Sequence, residues 1–564
     1  MSFNHLSQEE EQWASDALKG LSLEQKVGQI FCSMMMNSLS MEEQIDEYAL
    51  RIRHEAQTYY PGGYYLNRCY LPTTSVLLNR LQDIANIPLL ICADMEAGAG
   101  GGLGGVIAPG LTVFPPAMGV GAAGSEQYAY QVGYCTAWQA RTIGVNFIFA
   151  PSLDVNSNPD NPIINVRSFG EDPELVSRLG AAYIRGVQDG GAAASAKHFP
   201  GHGDASVDSH IQLSVVTGGR ERIDRVELPP FRRAIQEAGV YSIMTAHVAV
   251  PALEPDAQCP ATLSKIILQD LLRDEMGYDG LIVTDALLMG GITRHFSPGE
   301  AAVRAFQAGA DWLLMSPDFA AAHQAVLSAV QSGVISMERL DESVRRVLAV
   351  KAKIGLHHHE RVYHESLQNL EEINEYPTRI SMAVCDDAVT LVQNEGDLLP
   401  LSGREKISVL MLSDSKDEFY DDGYAFFYEV QSRCQDAVET LSVSPDASDS
   451  LLEAARRVVD RSDVVLIGLV VNVVPEKGSV ELPDKFAPLI EYAVGAEKSV
   501  VIISFGNPYL LRRFPTVKAY ICAYGYFDLM AASTAQILFG ERIPHGKLPV
   551  QIPGICEAGA GLSF

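Results

Sequence analysis

Residues 192–210 read AAASAKHFPGHGDASVDSH. The stretch opens as a short apolar run and ends in a segment that regular structure cannot hold. Its last fourteen residues (197–210) carry three histidines, one lysine and two aspartates, with one proline and two glycines that forbid a helix. An apolar strand that ends in a loop crowded with ionisable groups raises the question of what gathers those groups in space.

Working outward, the same pattern recurs through the first 350 residues. Strand candidates are VGQIFCSM (27–34), GGYYL (62–66), PLLICADM (88–95), IGVNFIFAPSLDV (143–155), AAASAKHF (192–199), VYSIMTAH (240–247), GLIVTDAL (280–287) and ADWLLMS (310–316). Their near-continuous apolar character suits strands covered on both faces. Amphipathic segments lie between several of them, such as PELVSRLGAAYIRGVQDG (173–190) and SKIILQDLLRDEMG (264–277). Eight β–α repeats argue for a closed (β/α)₈ TIM-like barrel, with an open doubly wound sheet as the alternative. Asp94, Asp154, Lys197, His198, His247 and Asp285 stand at the C-terminal ends of these runs. A barrel would collect those ends around one cavity.

The helical pattern MERLDESVRRVLAVKAKIGL (337–356) closes this unit, giving a catalytic barrel over 1–356. A polar linker over 357–373 follows, and its HHH (357–359) reads as solvated surface. A smaller α/β sandwich domain is expected over 374–564, with strands ISVLMLSD (407–414), DVVLIGLVVNVV (463–474), SVVIISFGNP (499–508) and AYICAYGY (519–526), and a final extended GKLPVQIP (546–553). GAGGGLGG (98–105) lacks the Gly-Lys-Ser/Thr of a phosphate loop and reads as a flexible loop on the substrate side.

Composition narrows the function classes. Seventy Asp and Glu against 42 Lys and Arg give a net charge of −28, and no basic run reverses it, which argues against nucleic acid or anionic membrane as partners. Nine cysteines are scattered singly without metal-ligand spacing, as expected of free thiols in a reducing compartment. The acidic, polar start MSFNHLSQEEEQWASDALKG is unlike a signal peptide, and no apolar stretch is long enough to span a membrane. A cytoplasmic location is the expectation.

Asp285 in LIVTDALLM reads either as a helix cap or as a carboxylate held at the barrel mouth, where it can attack an anomeric carbon. His210, two residues after Asp208, is the candidate proton donor and acceptor. In an extended loop, side chains i and i+2 share a side, so Asp208 would orient the imidazole. His198 and His202 have a zinc-like spacing, but Phe-Pro-Gly breaks any helix between them and no H-E-x-x-H is present, so a loop-shaping or substrate-contacting role is preferred to a metal. Arg167 has a surface ion-pair reading beside one at the cavity.

KHFPGHGDASVDSH resembles the loop that marks the β-N-acetylglucosaminidase branch of glycoside hydrolase family 3, the group with the bacterial wall-recycling enzymes. ADMEAG (93–98), NVRSFGEDP (165–173), IMTAHV (243–248) and GLIVTDALLMGGI (280–292) follow in the family's order and spacing, and DAVTLVQNEGDLLPL (387–401) resembles the start of the second domain of longer members. The resemblance implies Asp285 as nucleophile of a retaining double displacement and His210, paired with Asp208, as acid/base. It implies Asp94 on a sugar hydroxyl, Arg167, Lys197 and His198 on hydroxyl and N-acetyl oxygens, and His247 and Met289 lining the pocket. No cofactor and no metal are implied. The chain departs from the family's D-Q-E-G-G-R-V by reading DMEAGAGGGLGG (94–105), which points to a different aglycone contact.

These readings converge on an exo-acting hydrolase that takes terminal β-linked N-acetylglucosamine from cell-wall fragments or chitooligosaccharides, with a small-molecule β-N-acetylglucosaminide as its partner. A phosphorylase using inorganic phosphate as acceptor is the alternative within the family. An inactive carbohydrate-binding barrel and a metal hydrolase are weaker readings. Sequence leaves the acceptor, the aglycone, the tolerance for glucosides and the oligomeric state open.

Overall fold

The computed structural model describes residues 6–35, 42–71, 73–102, 105–358, 369–414, 423–496 and 498–564. Eight strands form the first sheet: β1 (Phe31–Met35), β2 (Gly63–Leu66), β3 (Leu90–Ala93), β4 (Phe147–Ile148), β5 (Ala193–Phe199), β6 (Ser242–Thr245), β7 (Leu281–Val283) and β8 (Leu313–Leu314). Each pairs in parallel with its sequence neighbours, β8 also pairs with β1, and a bridge from Val283 to Trp312 joins β7 to the start of β8. The sheet is therefore a closed (β/α)₈ barrel.

Its interior follows from the period of two along a strand. Cys32, Tyr65, Leu90, Cys92, Phe147, Ala193, Met244, Leu281, Val283 and Leu314 pack together as the inner core. Their chain neighbours Phe31, Tyr64, Ile91, Ile148, Ala194, Ile243, Ile282 and Leu313 belong to the layer under the helices. Phe147 and Trp312 stack at 5.5 Å in the inner core, and both are fully buried. The strands are apolar on both sides because both sides are covered.

Helices return the chain between strands. Pro173–Asp189 starts where Asp172 accepts from the Glu174 amide and proline takes the first turn, and its apolar stripe includes Val176, Leu179, Tyr183 and Val187. The first strand begins later than its sequence run, because Val27–Gln29 closes the helix Leu23–Gln29, which Ser22 and Gln25 cap reciprocally. Met337–Lys353 is the last barrel helix.

The second domain is a six-stranded sheet of β9 (Thr390–Asn394), β10 (Ile407–Ser413), β11 (Glu439–Val443), β12 (Val464–Val470), β13 (Ser499–Ser504) and β14 (Ala519–Cys522), in the order β9-β14-β13-β12-β10-β11. Only β9 runs antiparallel. The five parallel strands have the doubly wound order 2-1-3-4-5, whose direction of winding reverses between β10 and β12. One apolar face of this sheet packs in the same cluster as Met118, Ala122, Ile163, Ile164 and Val166 of the barrel unit.

Two sequence expectations change here. Residues 370–373, read as linker, form the first turn of the helix Leu370–Ala388, because Asn369 caps it through the Glu372 amide; residues 359–368, including His359, lie outside the described residues. GAGGGLGG is not a loose loop where it is described. A Cβ at Gly100 would lie 2.3 Å from the Leu111 carbonyl oxygen, and one at Gly102 2.3 Å from that of Asp94. The glycines permit close backbone packing rather than motion.

Candidate active site

The C-terminal ends of the barrel strands carry the titratable groups, and the structure ties them into three linked clusters. The first spans β3 and β5. Asp94 follows β3 directly, accepts from the Tyr65 hydroxyl at 2.9 Å and from Lys197 Nζ at 2.5 Å. Lys197 also meets Glu96 Oε1 at 2.7 Å, and Arg167 grips both Glu96 oxygens at 2.8 Å while its Nη1 donates to the Ile163 carbonyl. Burial alone would raise the Glu96 carboxyl, but Arg167 and Lys197 hold it well below the usual carboxylate range. The Lys197 ammonium would be disfavoured by burial, yet Asp94 and Glu96 raise its proton affinity. Lys197 and Arg167 thus stand paired, charged and buried rather than on the surface.

Asp154 organises the second cluster from the end of the chain leaving β4. Its fully buried carboxylate accepts from His198 Nδ1 at 2.7 Å, from the His202 amide at 2.7 Å and from the Ser152 hydroxyl at 2.8 Å. Burial would raise its proton affinity, but His198 and His202 outweigh it and keep it ionised. His202 itself is pushed down to about 4 by burial against the pull of Asp154. Its Nε2 meets Ser209 Oγ at 3.0 Å, which fixes His202 as a strut under the loop that carries His210.

The third cluster joins the loop after β5 to the loop after β7. His210 is held to Asp208 through its Nδ1 at 2.8 Å and its own amide at 2.8 Å, both on Asp208 Oδ1. The segment is a turn, not the extended strand that the i, i+2 argument assumed: the Asp208 carbonyl accepts from the Ile211 and Gln212 amides. An aspartate that folds back onto the amide two residues on produces the same pairing by a different route. The Asp208 side chain is wholly enclosed while the imidazole retains 22% exposure, and with Nδ1 held by Asp208 it is Nε2 that is left to exchange a proton. Burial opposes ionisation of Asp208, but the His210 ring and amide and the Glu476 amide hold its carboxyl low.

Asp285 lies two residues past β7, with one oxygen on the Ala286 amide at 2.8 Å. Burial would raise its carboxyl, but the neighbouring His247, His198 and His210 outweigh it and keep it below its ordinary range. His247 is buried with both nitrogens engaged, Nδ1 on Thr262 Oγ1 at 2.8 Å and Nε2 on the Ala286 carbonyl at 2.9 Å. It leaves no ring nitrogen for a ligand and instead supports the Asp285 loop. Met289 is buried at the entry to the short helix Gly290–Thr293. The amides of Gly290 and Gly291 donate to the carbonyls of His210 and Ser209 at 3.0 and 3.2 Å, so the two loops are stitched together.

Glu96 and Tyr65 were not among the predicted site residues, and Asp154 was read as a strand-end group at the cavity without a role of its own. Glu96 had a legible signal, since it lies two residues after Asp94 at the same strand end. Tyr65 had none. Among the described residues, the one group of three metal-ligand types within 4.8 Å is the peripheral Glu9, His357 and His358, remote in kind from the clusters above. A cavity of about 280 Å³ opens between the domains, lined by Glu96, Arg167 and Phe169 on one side and Asn472, Val473 and Tyr524 on the other. Glu96 and Arg167 bring the first cluster to this cavity, whereas Asp208, His210 and Asp285 are not part of its lining.

Residues 71–350 match the glycosyl hydrolase family 3 N-terminal domain and residues 389–558 its C-terminal domain. The chain belongs to glycosyl hydrolase family 3. It is 30% identical to the β-hexosaminidase A of Pseudoalteromonas piscicida over 84% of this chain and 86% of that protein. The solved structure of a family 3 β-N-acetylglucosaminidase from Paenibacillus sp. str. FPU-7 is 33% identical and superposes with a TM-score of 0.82, covering 94% of this chain and 99% of the other. A β-glucoside phosphorylase bound to 2FGlc is 28% identical with a TM-score of 0.85, covering 97% of each chain. Among the described residues, no helix is long and apolar enough to cross a membrane.

Proposed function

We propose that this family 3 enzyme is a retaining exo-β-N-acetylglucosaminidase that removes terminal N-acetylglucosamine from cell-wall fragments or chitooligosaccharides. The observation that carries the reading is the Asp208–His210 pair on a loop stitched to that of Asp285. In this reading the Asp285 carboxylate attacks the anomeric carbon as His210 Nε2 protonates the leaving oxygen, giving a glycosyl-aspartate. His210, now neutral, takes a proton from the incoming water, which displaces Asp285 and restores the imidazolium. Asp208 stabilises the charged ring and fixes its orientation. Asp94 binds a hydroxyl at the non-reducing end, with Lys197, His198 and Arg167 beside it, and Met289 packs behind the cavity. No metal or cofactor enters these steps. Free cysteines support a reducing, cytoplasmic setting.

Inorganic phosphate as acceptor is the second reading, favoured by the likeness to a β-glucoside phosphorylase across nearly the whole chain. A neutral histidine repels an arriving phosphate less than a carboxylate base would. The two readings separate in one experiment. The enzyme is incubated with N,N′-diacetylchitobiose and a nitrophenyl β-N-acetylglucosaminide, with and without millimolar phosphate, and the products are resolved. Free N-acetylglucosamine at a phosphate-independent rate is the expected outcome. A sugar 1-phosphate formed at a rate that climbs with phosphate replaces the hydrolase reading, and no turnover of either substrate removes both.

A further inference from the structure

We propose that the second domain is part of the acid/base machinery, through the backbone N–H of Glu476. Asp208 uses Oδ1 for the His210 ring and amide, and its other oxygen accepts from the Glu476 amide at 2.9 Å, across 268 residues of sequence. This is the contact by which a fully enclosed carboxylate satisfies its second oxygen.

The donor is free for this task because of the turn that carries it. Val474-Pro475-Glu476-Lys477 closes with the Lys477 amide on the Val474 carbonyl at 3.2 Å, and Glu476 has φ +67°. Proline at the second position and a positive φ at the third define a type II turn, whose third amide takes no part in the turn's own hydrogen bond. That amide projects outward and meets Asp208. The turn is rooted in its own domain: Lys477 Nζ pairs with Asp414 at the end of β10 and donates to the Asn472 carbonyl past β12 at 3.1 Å. These two strands flank the point where the winding of the sheet reverses, the place where such sheets present functional loops. Gly478 brings the turn against Ile211, next to His210. Glu476 is thus a positioning residue acting by its main chain, while its exposed side chain is dispensable.

The inference rests on Asp208–His210 as the acid/base pair, and its test keeps the two apart. Glu476→Gly keeps the N–H and favours the turn, Glu476→Pro removes the N–H and, with its φ locked at about −65°, the turn as well, and Lys477→Met cuts the anchor while keeping the N–H. Each is assayed on a nitrophenyl glycoside, which needs little protonation, and on a disaccharide, which needs much. Hydrogen–deuterium exchange of the 205–217 segment reports the loop independently of activity. Glu476→Gly, which retains the N–H, should keep the wild-type ratio between the two substrates and the wild-type exchange in 205–217, whatever it does to the absolute rate. Glu476→Pro and Lys477→Met should lower kcat/KM for the disaccharide about five- to tenfold more than for the nitrophenyl substrate, and should speed exchange in 205–217. Equal losses on both substrates, unchanged exchange, or a selective loss already in Glu476→Gly would each overturn the proposal. A wild type that cleaves no β-glycoside would instead overturn the functional reading, and the exchange data would still judge the contact.

Discussion

At the scale of single residues, the proposed mechanism separates groups that touch the reaction from groups that hold them. Asp285 has one oxygen on the Ala286 amide, and His247, His198 and His210 favour its charged form against burial, so its carboxylate is held ionised. Asp285→Ala is expected to reduce turnover to background without unfolding the barrel, measured with a nitrophenyl glycoside and by circular dichroism. His210→Ala should cost the disaccharide about 10²- to 10⁴-fold and a nitrophenyl glycoside far less, because a good leaving group does not wait for a proton. Asp208→Ala should follow the same trend more mildly, and equal losses on both substrates would mark His210 as structural. The sequence made the partnership of Asp208 and His210 legible because the two are neighbours along the chain. It placed Asp154 at a strand end but hid its partner, and it hid Tyr65 altogether, because their importance lies in whom they meet: His198 at 2.7 Å and Asp94 at 2.9 Å, each across many residues and a different strand. Local spacing carries no trace of such contacts.

At the scale of elements, two loops decide whether the groups stay in register. Gly290 lies where the loop after β7 crosses the loop after β5, and a Cβ there would come within 2.4 Å of the Ile211 carbonyl oxygen. Gly290→Val should therefore destabilise the fold by about 1–3 kcal/mol and penalise poor leaving groups most, since it pushes His210 off its seat; urea denaturation and the two-substrate assay test both halves. The floor of the β5–β6 loop holds a second constraint. Glu227 is buried beside Arg222 under Gly201, one of its oxygens lacks a hydrogen-bond partner, and burial pushes its carboxyl up from 4.5 to about 7. A carboxyl whose folded value is raised contributes stability that is complete below 4.5 and is lost as pH rises through about 7. Glu227→Gln removes that dependence, so its Tm relative to the wild type should be higher at pH 8 than at pH 5; a constant difference would show that Glu227 does not titrate there. Elements covered on both faces were readable as apolar runs: seven barrel strands lie within theirs, and β1 runs one residue past its own, to Met35. β11 escaped notice because ETLSV is half exposed, and β9 because its run continues straight from a helix.

At the scale of the whole molecule, the two domains share apolar core rather than a hinge. Met118, Ala122, Ile163, Ile164 and Val166 of the barrel unit pack in one cluster with Leu469, Val471, Tyr509, Tyr524 and Leu548. Polar contacts reinforce it: Asn156 Nδ2 donates to the Tyr509 hydroxyl at 2.8 Å, the Glu171 amide to the Pro549 carbonyl at 3.0 Å and the Lys547 amide to the Ala122 carbonyl at 3.1 Å. The helix Leu370–Ala388 adds a strap, with Ser381 on the Val113 carbonyl at 2.6 Å and Asp387 on the Tyr128 hydroxyl at 2.7 Å. Separate domains would each expose this surface to water at roughly 25 cal/mol per Å² of apolar area, so neither gains by unfolding alone. The expected result is one cooperative transition for the full chain in scanning calorimetry, where loosely joined domains give two. Ile164 is fully buried in the shared cluster. Ile164→Asp places a charge there without a partner, which should split the endotherm in two and release the Glu476 turn from Asp208, so activity on the disaccharide falls before the barrel melts. Two transitions already in the wild type would mean that the interface is too weak to couple the domains, and a single transition retained in Ile164→Asp would place the coupling elsewhere, in the strap helix.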